Sequence, residues 1–252
     1  MPERRPEGLG RTGSPLRVGV LVSGTGTILQ ALIDACRAGE MPAEIVVVIS
    51  NVPGAFALER ARAAGIPAET LDHRSFPSRA AFETALRTTL DGAGVDLVCL
   101  AGFLRILTPG FVDAFAGRLM NIHPALLPAF GGKGMYGDRV HETVLASGAR
   151  VSGCTVHFVT RDADAGPIIV QAPVPVEDDD TPATLSARVR REELRAFPLA
   201  VRLFAEGRLR IEGNRVLVLP AAAGSPPRTN APAAPQDTAA GPETRVHLRA
   251  KP

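Results

Sequence analysis

Asn121 and His123 stand two positions apart at the end of an apolar run that Pro124 stops. Alternate residues of an extended chain share a face, so the carboxamide and the imidazole point to the same side. An amide can polarise a carbonyl and steady an oxyanion while an imidazole exchanges a proton, the two needs of acyl transfer. An isolated histidine at a strand end is more often structural; the pairing with asparagine is what points to catalysis. Asp164 lies in the turn Asp162-Ala-Asp164-Ala-Gly-Pro167. An aspartate there ordinarily caps its own turn. Delivered beside His123, its carboxylate would stabilise an imidazolium and raise the ring's pKa. The sequence alone does not bring the two together.

A second set is Ser23-Gly24-Thr25-Gly26-Thr27, which leaves one apolar run and opens a helical one. Its glycines allow close backbone approach, and the free N–H groups at a helix start favour an anion. A dinucleotide fingerprint would need Gly at position 29 and an acidic residue closing the second strand. Leu29 and Ser50-Asn51 stand there, so a single phosphate suits the loop better than a pyrophosphate. His141-Glu142 is not a zinc helix, because Leu145 occupies the place of its second histidine. Gly132-Lys133 is followed by Gly134, which breaks a P-loop. Glu177 to Asp180 reads as a solvated turn. His157, between Val156 and Phe158, reads as a core-edge histidine rather than a site wall. His73 and His247 carry no pattern.

The elements that must position these residues alternate in type. Apolar runs at Val18–Val22, Ile45–Ile49, Leu97–Leu100 and Leu119–Ile122 read as strands, with a weaker one at Pro67–Leu71. Helical spacing covers Thr27–Cys36, Ala55–Ala64 and Ser78–Leu90. Such alternation predicts an α/β fold: a Rossmann-like, mostly parallel twisted sheet with helices on both faces. Ligands of such sheets sit at the carboxyl ends of the strands, here the loops after residues 22, 49, 100 and 122. Beyond residue 150 the style changes. Runs at Cys154–Val159 and Ile168–Val176 flank the Asp164 turn, and a long helix covers Ala183–Ala205.

Composition excludes several classes. Lys+Arg 28 against Asp+Glu 26 leaves a net charge of +2, which argues against a dedicated nucleic-acid binder. No apolar run reaches the roughly 20 residues that span a bilayer, and no secretory h-region is present. Cys36, Cys99 and Cys154 form no C-x-x-C pair, so neither a disulfide framework nor a zinc knuckle is expected, and the chain reads as cytoplasmic. The 252 residues divide into one domain over 16–220, flanked by ends expected to be disordered, 1–15 and the Pro- and Ala-rich 221–252.

Five segments, taken in order, resemble the phosphoribosylglycinamide formyltransferases, folate-dependent enzymes of purine synthesis. They are Val22-Ser-Gly-Thr-Gly26, Ala101-Gly-Phe-Leu-Arg-Ile-Leu107, Asn121-Ile-His-Pro-Ala-Leu-Leu-Pro128, Gly153-Cys-Thr-Val-His-Phe-Val159 and Asp164-Ala-Gly-Pro-Ile-Ile169. The resemblance runs from about residue 16 to 218. It implies formyl transfer from the co-substrate 10-formyltetrahydrofolate to the amine of glycinamide ribonucleotide, with no metal or prosthetic group. It also implies a monomer or homodimer acting on small molecules, without nucleic-acid or membrane partners.

By resemblance, Asn121, His123 and Asp164 match the catalytic trio, and Gly26, Thr27 and Ile28 match the segment that cradles the substrate phosphate. Glu193 matches a glutamate near the ribose; Arg79, Leu104, Arg105, Ile106, Leu107 and Asn121 match folate-binding positions. Three departures stand out. Thr27-Ile28 replaces a frequent Ser-Asn, Leu194 replaces a usual His, and Phe130 to Tyr136 replaces a shorter Pro-Gly loop. A formyltetrahydrofolate hydrolase could share the trio. It carries a leading regulatory domain, as the methionyl-tRNA enzyme carries a C-terminal barrel, and neither is expected here. A non-catalytic nucleotide-binding Rossmann module is disfavoured by the missing third glycine and the Asn-x-His pair.

Overall fold

A strand covered on both faces must be apolar at nearly every position, and the first strand, β1 (Leu16–Val22), meets that condition with Val18, Val20, Leu21 and Val22 fully buried. The computed structural model describes residues 14–221. Of the ends expected to be disordered, 1–15 and 221–252, residues 1–13 and 222–252 lie outside the described residues. In chain order β1 is followed by α1 (Thr27–Arg37), β2 (Ala43–Ser50), α2 (Phe56–Ala63), β3 (Ala68–Thr70), α3 (Arg79–Gly92), β4 (Leu97–Leu100), α4 (Pro109–Ala114) and β5 (Leu119–His123). Then come α5 (Asp138–Ala146), β6 (Val151–Phe158), β7 (Ile168–Pro175), α6 (Pro182–Ala205), β8 (Leu209–Glu212) and β9 (Arg215–Val218).

All nine strands join one sheet in the order β3-β2-β1-β4-β5-β6-β7-β9-β8. From β3 to β5 every pair is parallel, as the alternating pattern predicts. The direction then reverses: β6 runs antiparallel to β5, and β7 antiparallel to β6. The change of style after residue 150 therefore marks a hairpin, whose connection carries Asp164.

Side-chain alternation sorts the core into two layers. Val18, Val20, Leu97 and Cys99 face one side with Leu29, Leu32, Phe197 and Val201 of α1 and α6. Leu21, Val98 and Leu100 face the other with Phe82, Leu86 and Leu90 of α3 and Phe111 of α4. Helices thus cover both faces, and the carboxyl ends of β1, β4 and β5 open on the same edge.

Glu177, Asp178 and Asp179 are exposed around a turn, as expected of that run, but Asp180 departs from the reading. The Asp180 side chain is only 2% exposed and pairs with Arg188 of α6 at 2.6 Å. Its carboxylate also accepts from the Glu177 N–H and the Thr184 hydroxyl. The Arg188 guanidinium and those donors hold its pKa well below the usual carboxylate range. It staples the start of the long helix, where a negative charge also favours the helix dipole.

Candidate active site

Strand β5 ends in Asn121-Ile-His123, and antiparallel pairing sets Asn121 directly opposite His157 of β6. Cross-strand neighbours in that register lie on the same face. The His157 ring donates its Nδ1–H to the Phe158 carbonyl oxygen at 2.9 Å. Its Nε2 therefore accepts, and the Asn121 Nδ2 donates to it at 3.2 Å. This bond fixes the rotation of the Asn121 amide and leaves its second N–H free. His157 is 1% exposed, as a core-edge histidine should be, yet it also lines the central cavity. His157 is thus both a core-edge histidine and a site wall.

His123 is 4% exposed and engaged at both ring nitrogens. Its Nε2–H donates to the carbonyl oxygen of Phe130 at 2.8 Å, and its Nδ1 lies 3.6 Å from Asp164 Oδ2. The other Asp164 oxygen lies 3.6 Å from His157 Nε2. Among the described residues, the two non-glycine residues with positive φ are Phe130 and Asp164, both at 54°. Both touch the His123 ring. Left-handed backbone is disfavoured for such residues and gathers where a site demands a particular aim. Gly131 permits the close approach: a Cβ there would meet Asp164 Cβ at 3.2 Å and Leu127 Cδ2 at 2.4 Å. The next amide, Gly132 N–H, donates to Asp164 Oδ2 at 2.9 Å.

Burial outweighs the expected rise of the His123 pKa from the Asp164 carboxylate. Burial lowers the pKa of His123 more than Asp164 and the Phe130 carbonyl raise it, and neighbouring His157 lowers it further, so the ring sits below the ordinary imidazole value. Asp164 therefore does not make His123 a resting cation. Burial alone would push the Asp164 carboxyl up, but the His157 ring, His123 and the Gly132 N–H together bring it below its usual value. The pair rests as neutral imidazole beside carboxylate.

These groups open on a cavity of about 520 Å³ at the carboxyl edge of the sheet. Along one wall run Leu104, Arg105, Ile106 and Leu107. Leu104 and Ile106 are 64% and 59% exposed, so their apolar side chains are displayed, whereas Leu107 packs inward against α4. The lining also includes Ile28, Arg190 and Glu193. Glu193 is buried, which raises its carboxyl pKa against the opposing pull of Arg190. Leu194, on α6, packs against the core and offers no polar group there. Lys133 lines the cavity with an exposed side chain. Buried His141 lines it too, its Nδ1 unpartnered among the described residues.

Gly26 precedes α1 at φ 73°, and no side chain caps the helix. The orphan N–H groups of its first turn remain available to an anion. A Cβ on Gly26 would meet Ala57 Cβ at 2.6 Å, so α2 also presses on this loop. The Ile28 side chain is buried in the core, leaving only backbone for recognition. Thr27 Oγ1 accepts from Arg190 of α6 at 3.2 Å, which brings a cation to the loop that sequence reading had not assigned. Gly26 and Thr27 do not themselves line the cavity, and neither does Arg79, whose Nε lies 3.3 Å from Glu83 Oε1 on α3. Among the described residues no group of three or more His, Cys, Asp or Glu is placed to hold a metal ion, and no helix is long and apolar enough to cross a membrane.

Residues 16–201 match the formyl transferase family model. The phosphoribosylglycinamide formyltransferase of Escherichia coli (strain K12) is 44% identical over 199 residues, covering 79% of this chain and 92% of that protein. A solved structure of glycinamide ribonucleotide transformylase 1 from Symbiobacterium toebii superposes with a TM-score of 0.79 at 50% identity, covering 85% of this chain and all of that one. The trifunctional purine biosynthetic protein adenosine-3 of Bos taurus is 49% identical over 198 residues, of whose length this chain spans 19%.

Proposed function

The chain belongs to the formyl transferase family, on its phosphoribosylglycinamide formyltransferase branch, and from that premise we propose that it moves the formyl group of 10-formyltetrahydrofolate to the amine of glycinamide ribonucleotide. The observation that carries this reading is the convergence of the Asn121 amide and the His123 ring, with Asp164 between His123 and His157, on one cavity.

The cavity wall of Leu104, Ile106 and neighbouring main chain suits a flat heteroaromatic ring such as the pterin. The free N–H groups at the start of α1, with Arg190 beside them, suit a phosphate at the other end. Glu193, which lines the same cavity, suits a ribose hydroxyl. Between these ends the nucleotide amine attacks the formyl carbon, a C–N bond forms, and the carbonyl electron pair moves to oxygen. The free N–H of the Asn121 amide stabilises that oxyanion. His123, neutral beforehand, takes the proton lost by the attacking nitrogen. Asp164 stabilises the resulting imidazolium, which returns the proton to the departing folate nitrogen as the second C–N bond breaks and the carbonyl re-forms. No proton or electron pair is left over. The three free thiols, Cys36, Cys99 and Cys154, accord with action in the cytoplasm.

Ultraviolet absorbance of the released folate tests the proposal. Release that requires glycinamide ribonucleotide supports it. Release without the nucleotide would assign a formylfolate hydrolase instead, and no release in either case would overturn both.

A further inference from the structure

The main chain from Phe103 to Leu107 belongs to no helix or strand, and among the described residues only one of its polar groups has a protein partner: Leu104 N–H, which donates to Ser23 Oγ at 2.8 Å. Such a segment keeps its shape only if its ends are held. The leading end is tied to the phosphate loop, since Ser23 N–H donates to Gly102 O at 3.1 Å and Ser23 Oγ donates to buried Asn51 at 2.6 Å. The trailing end is tied to a side chain on another layer. Glu83 lies on the buried face of α3 between Phe82 and Leu86, with its side chain 7% exposed. Its Oε1 accepts from Thr108 N–H at 2.8 Å and from Arg79 Nε, and its Oε2 accepts from the Thr108 hydroxyl. Thr108 in turn caps α4.

We infer that Glu83, acting through Thr108, is a positioning residue that sets the shape of the Phe103–Leu107 segment and thereby the affinity for the folate substrate. An acidic group on the apolar face of a helix is costly unless fully bonded, and all the bonds it makes toward the cavity end on the first residue after this segment. Glu83 and Arg79 do not line the cavity, so the effect reaches the ligand through the main chain. The loop of Gly26 and the Arg190 cation are held by contacts that involve neither Glu83 nor Thr108, so loss of this strut should affect nucleotide binding far less than folate binding.

This inference rests on the proposed function. Its test is calorimetric titration of wild type, Glu83→Gln, Thr108→Val and Thr108→Ser with 10-formyl-5,8-dideazafolate and, separately, with glycinamide ribonucleotide. Circular dichroism selects the folded variants. Glu83→Gln and Thr108→Val should weaken folate binding about tenfold, the worth of one charge-assisted hydrogen bond. They should raise KM for the folate more than they lower kcat and leave nucleotide affinity within about twofold, while Thr108→Ser, which keeps the hydroxyl, behaves as wild type. Unchanged folate affinity in folded Glu83→Gln and Thr108→Val, or equal loss of both ligands, overturns the role of the strut. Failure of the wild type to bind the folate analogue overturns the functional reading itself.

Discussion

The ring of His123 donates its Nε2–H to the carbonyl oxygen of Phe130 across 2.8 Å. A carbonyl only accepts, so this contact fixes the tautomer and leaves Nδ1 as the nitrogen that gains and loses a proton. Nδ1 is also the nitrogen 3.6 Å from Asp164, too far for a hydrogen bond at rest but close enough to stabilise an imidazolium once formed. Phe130 reaches this place only through a left-handed backbone at φ 54°. In the proposed mechanism the long loop after β5 therefore takes part in proton transfer.

Replacing His123 by Ala should lower kcat by about a hundredfold or more, the usual worth of a positioned proton carrier. Its effect on either substrate's affinity should be small. Steady-state kinetics with both substrates varied will separate the two.

The pH profile follows from the depressed pKa of His123. A base that must be neutral gives an acidic limb, here below the ordinary imidazole value of 6.5. Asp164 partly raises that pKa, so Asp164→Asn should lower kcat and also move the limb further toward acid. A limb moving toward alkaline pH would contradict the assignment. Stability should change in the same direction. The unfolded chain binds a proton at His123 more tightly than the folded one, so this contribution is fully present above 6.5 and lost as pH falls. Asp164, whose folded pKa is also lowered, adds its loss below 3.8. Thermal melts between pH 8 and pH 3 should show the decline, and His123→Gln should reduce its first part.

His157→Phe keeps the buried ring but removes the acceptor that orients Asn121. The expected loss is about tenfold in kcat, the scale of one hydrogen bond, with substrate affinities nearly unchanged. A loss equal to that of Asn121→Ala would show that amide orientation is the whole of the Asn121 contribution.

Local signals carried much of this site. Asn-x-His at a strand end announces two side chains on one face, and Gly26 between an apolar run and a helical run announces an open helix start. The parallel half of the sheet was readable from its alternation of strands and helices. What stayed hidden depended on register and on distant partners. Nothing near His157 says that it will face Asn121; only the β5–β6 pairing does. Asp180 looked solvated because Arg188, which covers it, lies two turns along a helix. Glu83 reads as an ordinary surface residue of an amphipathic helix until Thr108 is brought against it. Strands β8 and β9 are four residues each and half-exposed: β8 alternates as Leu209-Arg-Ile-Glu212, and β9 carries the apolar Val216-Leu217-Val218 beside the Pro- and Ala-rich end.

Gly26→Ala should be poorly tolerated. The residue holds φ 73°, and the added methyl would lie 2.6 Å from Ala57 Cβ. A strained left-handed residue costs about 1–3 kcal/mol. Differential scanning should show a lower melting temperature, and the KM for the nucleotide should rise more than that for the folate.

The most direct test uses 10-formyltetrahydrofolate labelled with carbon-13 in the formyl group, incubated with glycinamide ribonucleotide and followed by mass spectrometry of the nucleotide. With wild-type protein the label should appear on the glycinamide nitrogen, and with the His123→Ala and Asn121→Ala variants its rate of appearance should fall by about a hundredfold. Label recovered as free formate, or variants that transfer it as fast as wild type, would contradict the account.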